Sequence, residues 1–357
     1  MMTDSKRELK KFAAVFLSAF FCLTAASALF VVVTDPFYQY HAPWFGIPVV
    51  LEDAVYQTPG AARNLEFSDA IIGTSMTENF HTSWFDEELG WHTAKLSYSG
   101  ARTDDLKAIL SSVFSREEPV GHIFMDINEY QLTVPSWTAY VERPAYLYTA
   151  SLLDDGPYLF NRDVLARGYE RVLDALEGRE SNMDTAYTWE DEAYFGKEIV
   201  LAEAGNVWKE VQEPPLTAEQ TEAQIKTCQE NLDNILPFIE QNPETEFVVF
   251  LPPYSMLYWE QKLLQGELES ILKVYGYAMK QLMQYENVSV YYFQNEQEII
   301  TDLDNYRDVG HHRPEYNRYI FEAVRDGRNR VTEENLGEII RNMYDFALEY
   351  DYESYWR

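Results

Sequence analysis

The sequence predicts an α/β protein with a central parallel sheet of about five strands, preceded by one N-terminal membrane-spanning helix. Three observations predict it. Residues 12–33 contain no charge. From residue 69 onward, five short apolar runs each end at a small or polar residue. Between those runs lie segments with apolar residues at helical spacing, and strands that alternate with helices build a parallel sheet covered on both faces.

The apolar run Phe12–Val33 comes first. As a helix its 22 residues measure about 33 Å, enough for a hydrocarbon core. Lys6, Arg7, Lys10 and Lys11 precede it against Asp4 and Glu8, and the first charge beyond it is Asp35, followed by Pro36. The positive-inside bias then leaves a basic tail, 1–11, in the cytoplasm and the remainder outside. Ala25, Ala26, Ser27 and Ala28 offer the small residues of a signal cleavage site, the rival reading. The run continues through Leu29, Phe30 and three valines, which is long for a signal core. The expectation is an uncleaved single-pass anchor in the cell membrane with an extracellular domain.

Residues 34–66 read as an aromatic linker carrying Phe37, Tyr38, Tyr40, Trp44, Phe45 and Tyr56. The five expected strands are Asp69–Ile72, Ala94–Tyr98, His122–Ile127, Phe247–Leu251 and Val288–Phe293. Leu106, Ile109, Leu110 and Val113 share a helix face over 103–115. A Thr217/Gln220 capping box opens a helix over 217–239, which Pro237 should kink or end. Another helix spans 264–285. The stretch 131–216, rich in Tyr and Trp, interrupts the alternation and reads as an insertion over one sheet edge. Residues 326–357 close the chain with an amphipathic helix.

Charge excludes several functions. The net charge is −31, and residues 1–11 carry a local balance of +2, which leaves −33 on the remainder. A nucleic-acid surface needs clustered Lys and Arg, so nucleic acid is not an expected partner. Cys22 lies in the apolar run and Cys228 far from it, so no intramolecular disulfide is expected.

Gly73-Thr74-Ser75-Met76 stands at the end of the first strand. Glycine permits a sharp turn there, and a serine opening a helix has N–H groups beside it suited to an oxyanion. The plain alternative is a serine that caps the helix. Asp308-Val309-Gly310-His311 follows the last strand, with His312-Arg313-Pro314-Glu315 behind it. An Asp three residues before a His lets both side chains reach one point, the carboxylate orienting an imidazole that deprotonates a serine. The alternative is a surface Asp and a structural His, and His312 is the rival base. Gly100 after the second strand and Asn128 after the third would offer an N–H and a side-chain amide at the same sheet edge; otherwise they are turn residues.

Gly-x-Ser after the first strand, Gly after the second, Asn after the third and Asp-x-x-His after the last is an order that resembles the SGNH/GDSL hydrolase superfamily. The likeness covers about residues 65–325, with the domain itself at 67–325. It implies a flavodoxin-like three-layer sandwich, Ser75 as nucleophile, His311 as base and Asp308 as its orienter. It also implies Ser75 N–H, Gly100 N–H and Asn128 as oxyanion donors. The superfamily's Gly-Asp-Ser is Gly73-Thr74-Ser75 here, and its Gly-x-Asn-Asp is Asp126-Ile127-Asn128-Glu129. The phrases Gly73-Thr74-Ser75-Met76-Thr77-Glu78-Asn79-Phe80 and Asp302-Leu303-Asp304-Asn305-Tyr306-Arg307-Asp308 are similar to a narrower bacterial, membrane-anchored group. That group includes the D-alanine-transfer protein of teichoic-acid operons and exopolysaccharide O-acetylation proteins. The resemblance implies a serine esterase or O-acyltransferase acting on a cell-surface polysaccharide or teichoic-acid-like polymer, beside a membrane-bound O-acyltransferase. Its alternative is an inactive binding or scaffold subunit of a cell-surface acylation complex.

Trp137, Tyr140, Tyr146, Tyr148, Tyr254, Tyr258 and Trp259 could stack on sugars or simply pack a core. Tyr254, Tyr258 and Trp259, after the fourth strand, are the candidates for substrate binding. Asp302-x-Asp304-x-Tyr306 starts like a calcium loop but lacks its third oxygen ligand, its glycine and its closing Glu. No zinc spacing and no nucleotide-binding glycine loop occurs, so no metal and no cofactor is expected.

Overall fold

The computed structural model describes residues 2–138, 140–149, 151–179, 182–189, 194–205 and 212–357. The expected insertion 131–216 thus lies in part outside the described residues. In chain order the first elements are α1 (Met2–Thr34), α2 (Ala54–Asn64), β1 (Asp69–Gly73), α3 (Ser75–Glu78), α4 (Thr82–Leu89) and β2 (Thr93–Ser97). Then come α5 (Thr103–Val113), β3 (His122–Asp126), α6 (Glu129–Thr133), α7 (Gly156–Leu159), α8 (Arg162–Glu177) and α9 (Lys197–Ala204). The chain continues with α10 (Ala218–Leu232), α11 (Leu236–Gln241), β4 (Glu246–Leu251), α12 (Met256–Leu264) and α13 (Leu268–Leu282). It ends with β5 (Val288–Tyr292), α14 (Gln297–Ile300), α15 (Pro314–Arg325) and α16 (Leu336–Glu349).

All five expected strands form, each within a residue or so of its expected ends. They make one sheet in the order β2-β1-β3-β4-β5, with every neighbouring pair parallel. Ile71 registers with Phe124 and Phe124 with Val248, which puts these three on one face. There, with Phe250, they pack against Phe85 of α4 and Ile320 and Phe321 of α15. On the other face Phe247 meets Phe114, just past α5, at 6.3 Å between ring centroids, and α13 packs on β5. Helices on both faces explain why the strands read as unbroken apolar runs rather than alternating ones. The chain winds from β1 outward to β2, then returns and winds the other way through β3, β4 and β5. Loops after β1 and β3 therefore part at the carboxyl edge, where α/β sheets hold their ligands.

Two helix boundaries follow local chemistry. Thr217 caps α10 reciprocally with Gln220: the Gln220 N–H donates to Thr217 Oγ1 at 3.2 Å and the Thr217 N–H to Gln220 Oε1 at 2.8 Å. Of the expected kink or end at Pro237 it is the end that forms: α10 stops at Leu232 and Pro237 sits in the first turn of α11. The helix expected over 264–285 forms as α13, and α12, which the sequence reading did not name, precedes it. Gly266 separates them at φ +70°, where a Cβ would fall 2.2 Å from the Pro214 carbonyl oxygen.

The chain divides into two units: the N-terminal residues through Glu66 with Arg143–Asn182, and Phe67–Glu142 with Met183–Arg357. The stretch expected as a linker, 34–66, is thus folded with part of the expected insertion. In the first unit Val31, Phe37, Leu147, Tyr158 and Val164 form a core. Asp35, 1% exposed, accepts hydrogen bonds from the N–H groups of Gln39, Tyr40 and His41 (2.9, 2.7 and 3.0 Å) and from Tyr158 Oη (2.7 Å). Gly168 lets α8 cross α1 closely, since a Cβ there would lie 2.5 Å from Thr34 Oγ1. Over Lys6–Thr34, α1 is long and apolar enough to cross a membrane, and Phe12, Phe16, Phe20 and Phe21 are exposed along it.

Candidate active site

The second unit holds every residue the sequence singles out for chemistry except Tyr146 and Tyr148. Ser75 follows β1 through a turn that three side chains lock. The Asp126 carboxylate, fully buried at the end of β3, accepts from the Thr74 N–H (2.8 Å), the Thr74 hydroxyl (2.9 Å) and the Asn128 amide (2.9 Å). Thr74 Oγ1 in turn accepts from the Met76 N–H at 3.2 Å, which caps α3. Gly73 is required by this packing, because a Cβ would meet Asp126 Oδ1 at 2.1 Å. Burial pushes the Asp126 carboxyl above its ordinary range, against the pull of these hydrogen bonds. Ser75 alone among residues 69–80 keeps partial exposure.

Ser75 Oγ lies 2.8 Å from His311 Nε2, across 236 positions of sequence. His311 Nδ1 lies 2.7 Å from Asp308 Oδ2. The other carboxylate oxygen, Oδ1, accepts from the N–H groups of Gly310 (2.9 Å) and His311 (2.8 Å). Burial pushes Asp308 up, but the bonds from the His311 ring and from these two N–H groups outweigh it and hold the carboxyl below its ordinary range. Asp308 is therefore an anion at neutral pH and fixes Nδ1 of His311 as the protonated nitrogen, leaving Nε2 to accept. This is the arrangement in which a serine hydroxyl can be deprotonated as it attacks a carbonyl.

The His311 loop is seated by the turn after β4. Ser255 donates to the Val309 carbonyl through both its N–H (3.0 Å) and its hydroxyl (2.8 Å). Tyr254 packs beneath Gly310, at 3.4 Å from where a Cβ would stand. His312, the rival base, is 2% exposed, and its ring nitrogens have no hydrogen-bond partner among the described residues. Burial and the neighbouring His311 push it down to about 3, so it is neutral, and it is His311 that bonds to Ser75 Oγ.

Other expectations fare differently. The Asn128 carbonyl accepts from the Gln131 N–H at 3.2 Å, and its amide donates to Asp126 and, at 3.3 Å, to Thr74 Oγ1. Its position is beside the Ser75 turn, but an oxyanion would receive a donor from it only if those two acceptors share one N–H. Gly100, at φ +75°, lies past the end of β2, with the Tyr140 ring resting on it so closely that a Cβ would stand 2.0 Å from the ring. Tyr254, Tyr258 and Trp259, the substrate-binding candidates, are 6%, 5% and 0% exposed and offer no ring face to a sugar. They pack on one another, with Tyr258 and Trp259 rings at 5.0 Å. Trp137 and Tyr140 are exposed, as is Tyr130, which the sequence did not single out.

Sequence reasoning also missed Asp126, Glu78 and Trp189. A charged residue closing the apolar run His122–Asp126 was the available signal for the first. Glu78, 4% exposed and three residues past Ser75, accepts from the Ser99 hydroxyl at 2.8 Å; burial pushes it up to about 7 against that bond and against Lys95 and His311. Trp189 Nε1 donates to the Ser75 carbonyl at 3.0 Å, and no local pattern foretells it.

Fold and site together define a parallel α/β protein with a Ser–His–Asp hydrogen-bond chain at the carboxyl edge of its sheet. No family model matches this chain, and no curated protein matches it.

Proposed function

We propose that this chain is a membrane-anchored serine acyl-transfer enzyme of the SGNH type, an esterase or O-acyltransferase whose domain lies outside the cytoplasm. The observation that carries the reading is the unbroken hydrogen-bond chain from Ser75 Oγ through His311 to the anionic Asp308, at 2.8 and 2.7 Å. Ser75 Oγ attacks the acyl carbonyl while His311 Nε2 takes its proton. The leaving alcohol departs with that proton and the acyl group remains as an ester on Ser75. Water or a sugar hydroxyl then gives its proton to Nε2, takes the acyl group, and Ser75 regains its hydrogen.

Strand order 2-1-3-4-5, with the site at its switch point, supports the flavodoxin-like assignment. The exposed apolar length of α1 supports the anchor, because a soluble chain does not leave such a surface in water. A cell-envelope polymer as acceptor, and a membrane-bound O-acyltransferase as neighbour, follow from the family resemblance.

The test is covalent labelling of the detergent-solubilised full chain with a fluorophosphonate. Labelling that vanishes in Ser75→Ala and His311→Ala is the expected result. A folded chain that takes no label would instead be the scaffold subunit of a surface-acylation complex.

A further inference from the structure

Lys95 poses the question. It stands in the middle of β2 on the same face as Ile71, and it is fully buried. Burying an ammonium costs several kcal/mol unless its donors are met. Here Nζ donates to three backbone carbonyls: Glu78 (2.8 Å), Asp184 (2.7 Å) and Ala186 (3.0 Å). The first belongs to the helix that begins at Ser75; the other two belong to the segment 183–189. Lys95 thus clamps that segment to the nucleophile's own helix.

The segment is pinned at both ends as well. The Asp184 carboxylate accepts from Thr82 Oγ1 (3.0 Å), the Ser83 N–H (2.8 Å) and Ser83 Oγ (2.6 Å). Asn79 Oδ1 accepts from Thr188 Oγ1 (2.9 Å) and the Trp189 N–H (3.1 Å). What this anchorage positions is the Trp189 indole. Its Nε1–H meets the Ser75 carbonyl, its ring stands perpendicular to the His311 imidazole at 5.6 Å, and the Arg307 guanidinium lies 5.1 Å from its ring centre.

We infer that Trp189, held against Ser75 and His311, keeps water from the Ser75 ester, so that a bound alcohol rather than water receives the acyl group. This rests on the reading of Ser75 as acyl carrier. Both outcomes of that step use the same triad: an alcohol R–OH gives its proton to His311 Nε2 and becomes R–O–acyl, or water does so and becomes the free acid, and in each case Ser75 Oγ takes the proton back. In open solvent water outnumbers any alcohol, so transfer requires its exclusion. A rigid indole beside the imidazole occupies space through which water would approach Nε2, and the buried cation keeps it there.

The test measures partition. The full chain in detergent is given p-nitrophenyl acetate with methyl glucoside, and the ratio of acetylated glucoside to free acetate is read at whatever rate each variant turns over. Trp189→Ala should lower that ratio about tenfold, and Trp189→Phe, which keeps an aromatic ring but not the N–H, by less. Lys95→Met, which removes the clamp and leaves the indole in place chemically, should shift it in the same direction as Trp189→Ala. A wild-type chain that yields only acetate, or a folded Trp189→Ala with the wild-type ratio, overturns the proposal. Should Trp189→Ala fail to fold by its melting curve, an unchanged ratio in Trp189→Phe and Lys95→Met overturns it equally. If the wild type releases no p-nitrophenol through Ser75, the acyl-carrier reading itself fails and takes this proposal with it.

Discussion

In each unit a buried carboxylate holds a loop in place, Asp35 in one and Asp126 in the other, and the two serve different ends. Asp35, just past α1, gathers three successive N–H groups from its own loop and one hydroxyl from Tyr158. Asp126, closing β3, gathers the N–H and hydroxyl of Thr74 and the amide of Asn128. The first folds the chain back on itself, and its neighbours Thr34, Phe37 and Tyr38 are buried. The second reaches across 52 positions to hold a turn whose next residue stays open to solvent. The lesson is that a fully bonded buried carboxylate marks a place where the backbone must not move. Only the residue it presents decides whether that stillness serves packing or chemistry.

The largest test of this contrast is Asp308→Asn. The amide keeps the shape but leaves His311 free to adopt the wrong tautomer, so kcat for ester turnover should fall about 10³- to 10⁴-fold while the melting temperature hardly changes. Asp126→Ala should cost less in rate, about 10²-fold, because it loosens the Ser75 turn without touching the proton path. It should also destabilise the second unit by about 3 kcal/mol, read by denaturant titration. Asp35→Ala should produce a destabilisation of similar size, seen as protease cleavage within 34–66 or 143–182, with Ser75 turnover retained. If Asp35→Ala abolished turnover as fully as Asp126→Ala, the division of labour drawn here would be wrong.

The smallest effect concerns Glu78. Its folded-state pKa, about 7, exceeds the ordinary 4.5, so the protonated form is the better tolerated one inside. Its contribution to stability is therefore complete below pH about 4.5 and is lost as pH rises through about 7. The melting temperature should decline by a few degrees across that window, and Glu78→Gln should flatten the slope.

Much of the second unit was legible in the sequence because its signals are local. Five strands buried on both faces cannot avoid reading as apolar runs, and the Thr217/Gln220 box is written in two residues. The Ser75–His311 pairing was legible for another reason: parallel strands bring the residues after each of them to one edge, whatever their separation along the chain. The rest was hidden by the same locality. Nothing in the composition of 34–66 distinguishes a linker from a loop wrapped round Asp35. Aromatic residues announce size and not direction, so buried Tyr254 and exposed Tyr130 look alike on the page. Lys95 and Asp126 were visible as charges inside apolar strands, but the carbonyls and N–H groups that satisfy them come from segments that only the fold brings near. Trp189 donates to the Ser75 carbonyl 114 positions upstream and stands against His311 and Arg307 far downstream, beyond any periodicity.

One last consequence concerns anyone who wishes to handle this protein without lipid. Val31, Thr34 and Asp35 are interior residues, so the greasy helix and the folded body overlap by about one turn. Trimming at the apparent end of the hydrophobic run, between residues 33 and 34, would strip Val31 from the Phe37–Tyr158 cluster and take away the turn of helix that leads into the Asp35 bond network. A gentler cut, several positions earlier, trades a little stickiness for an intact base.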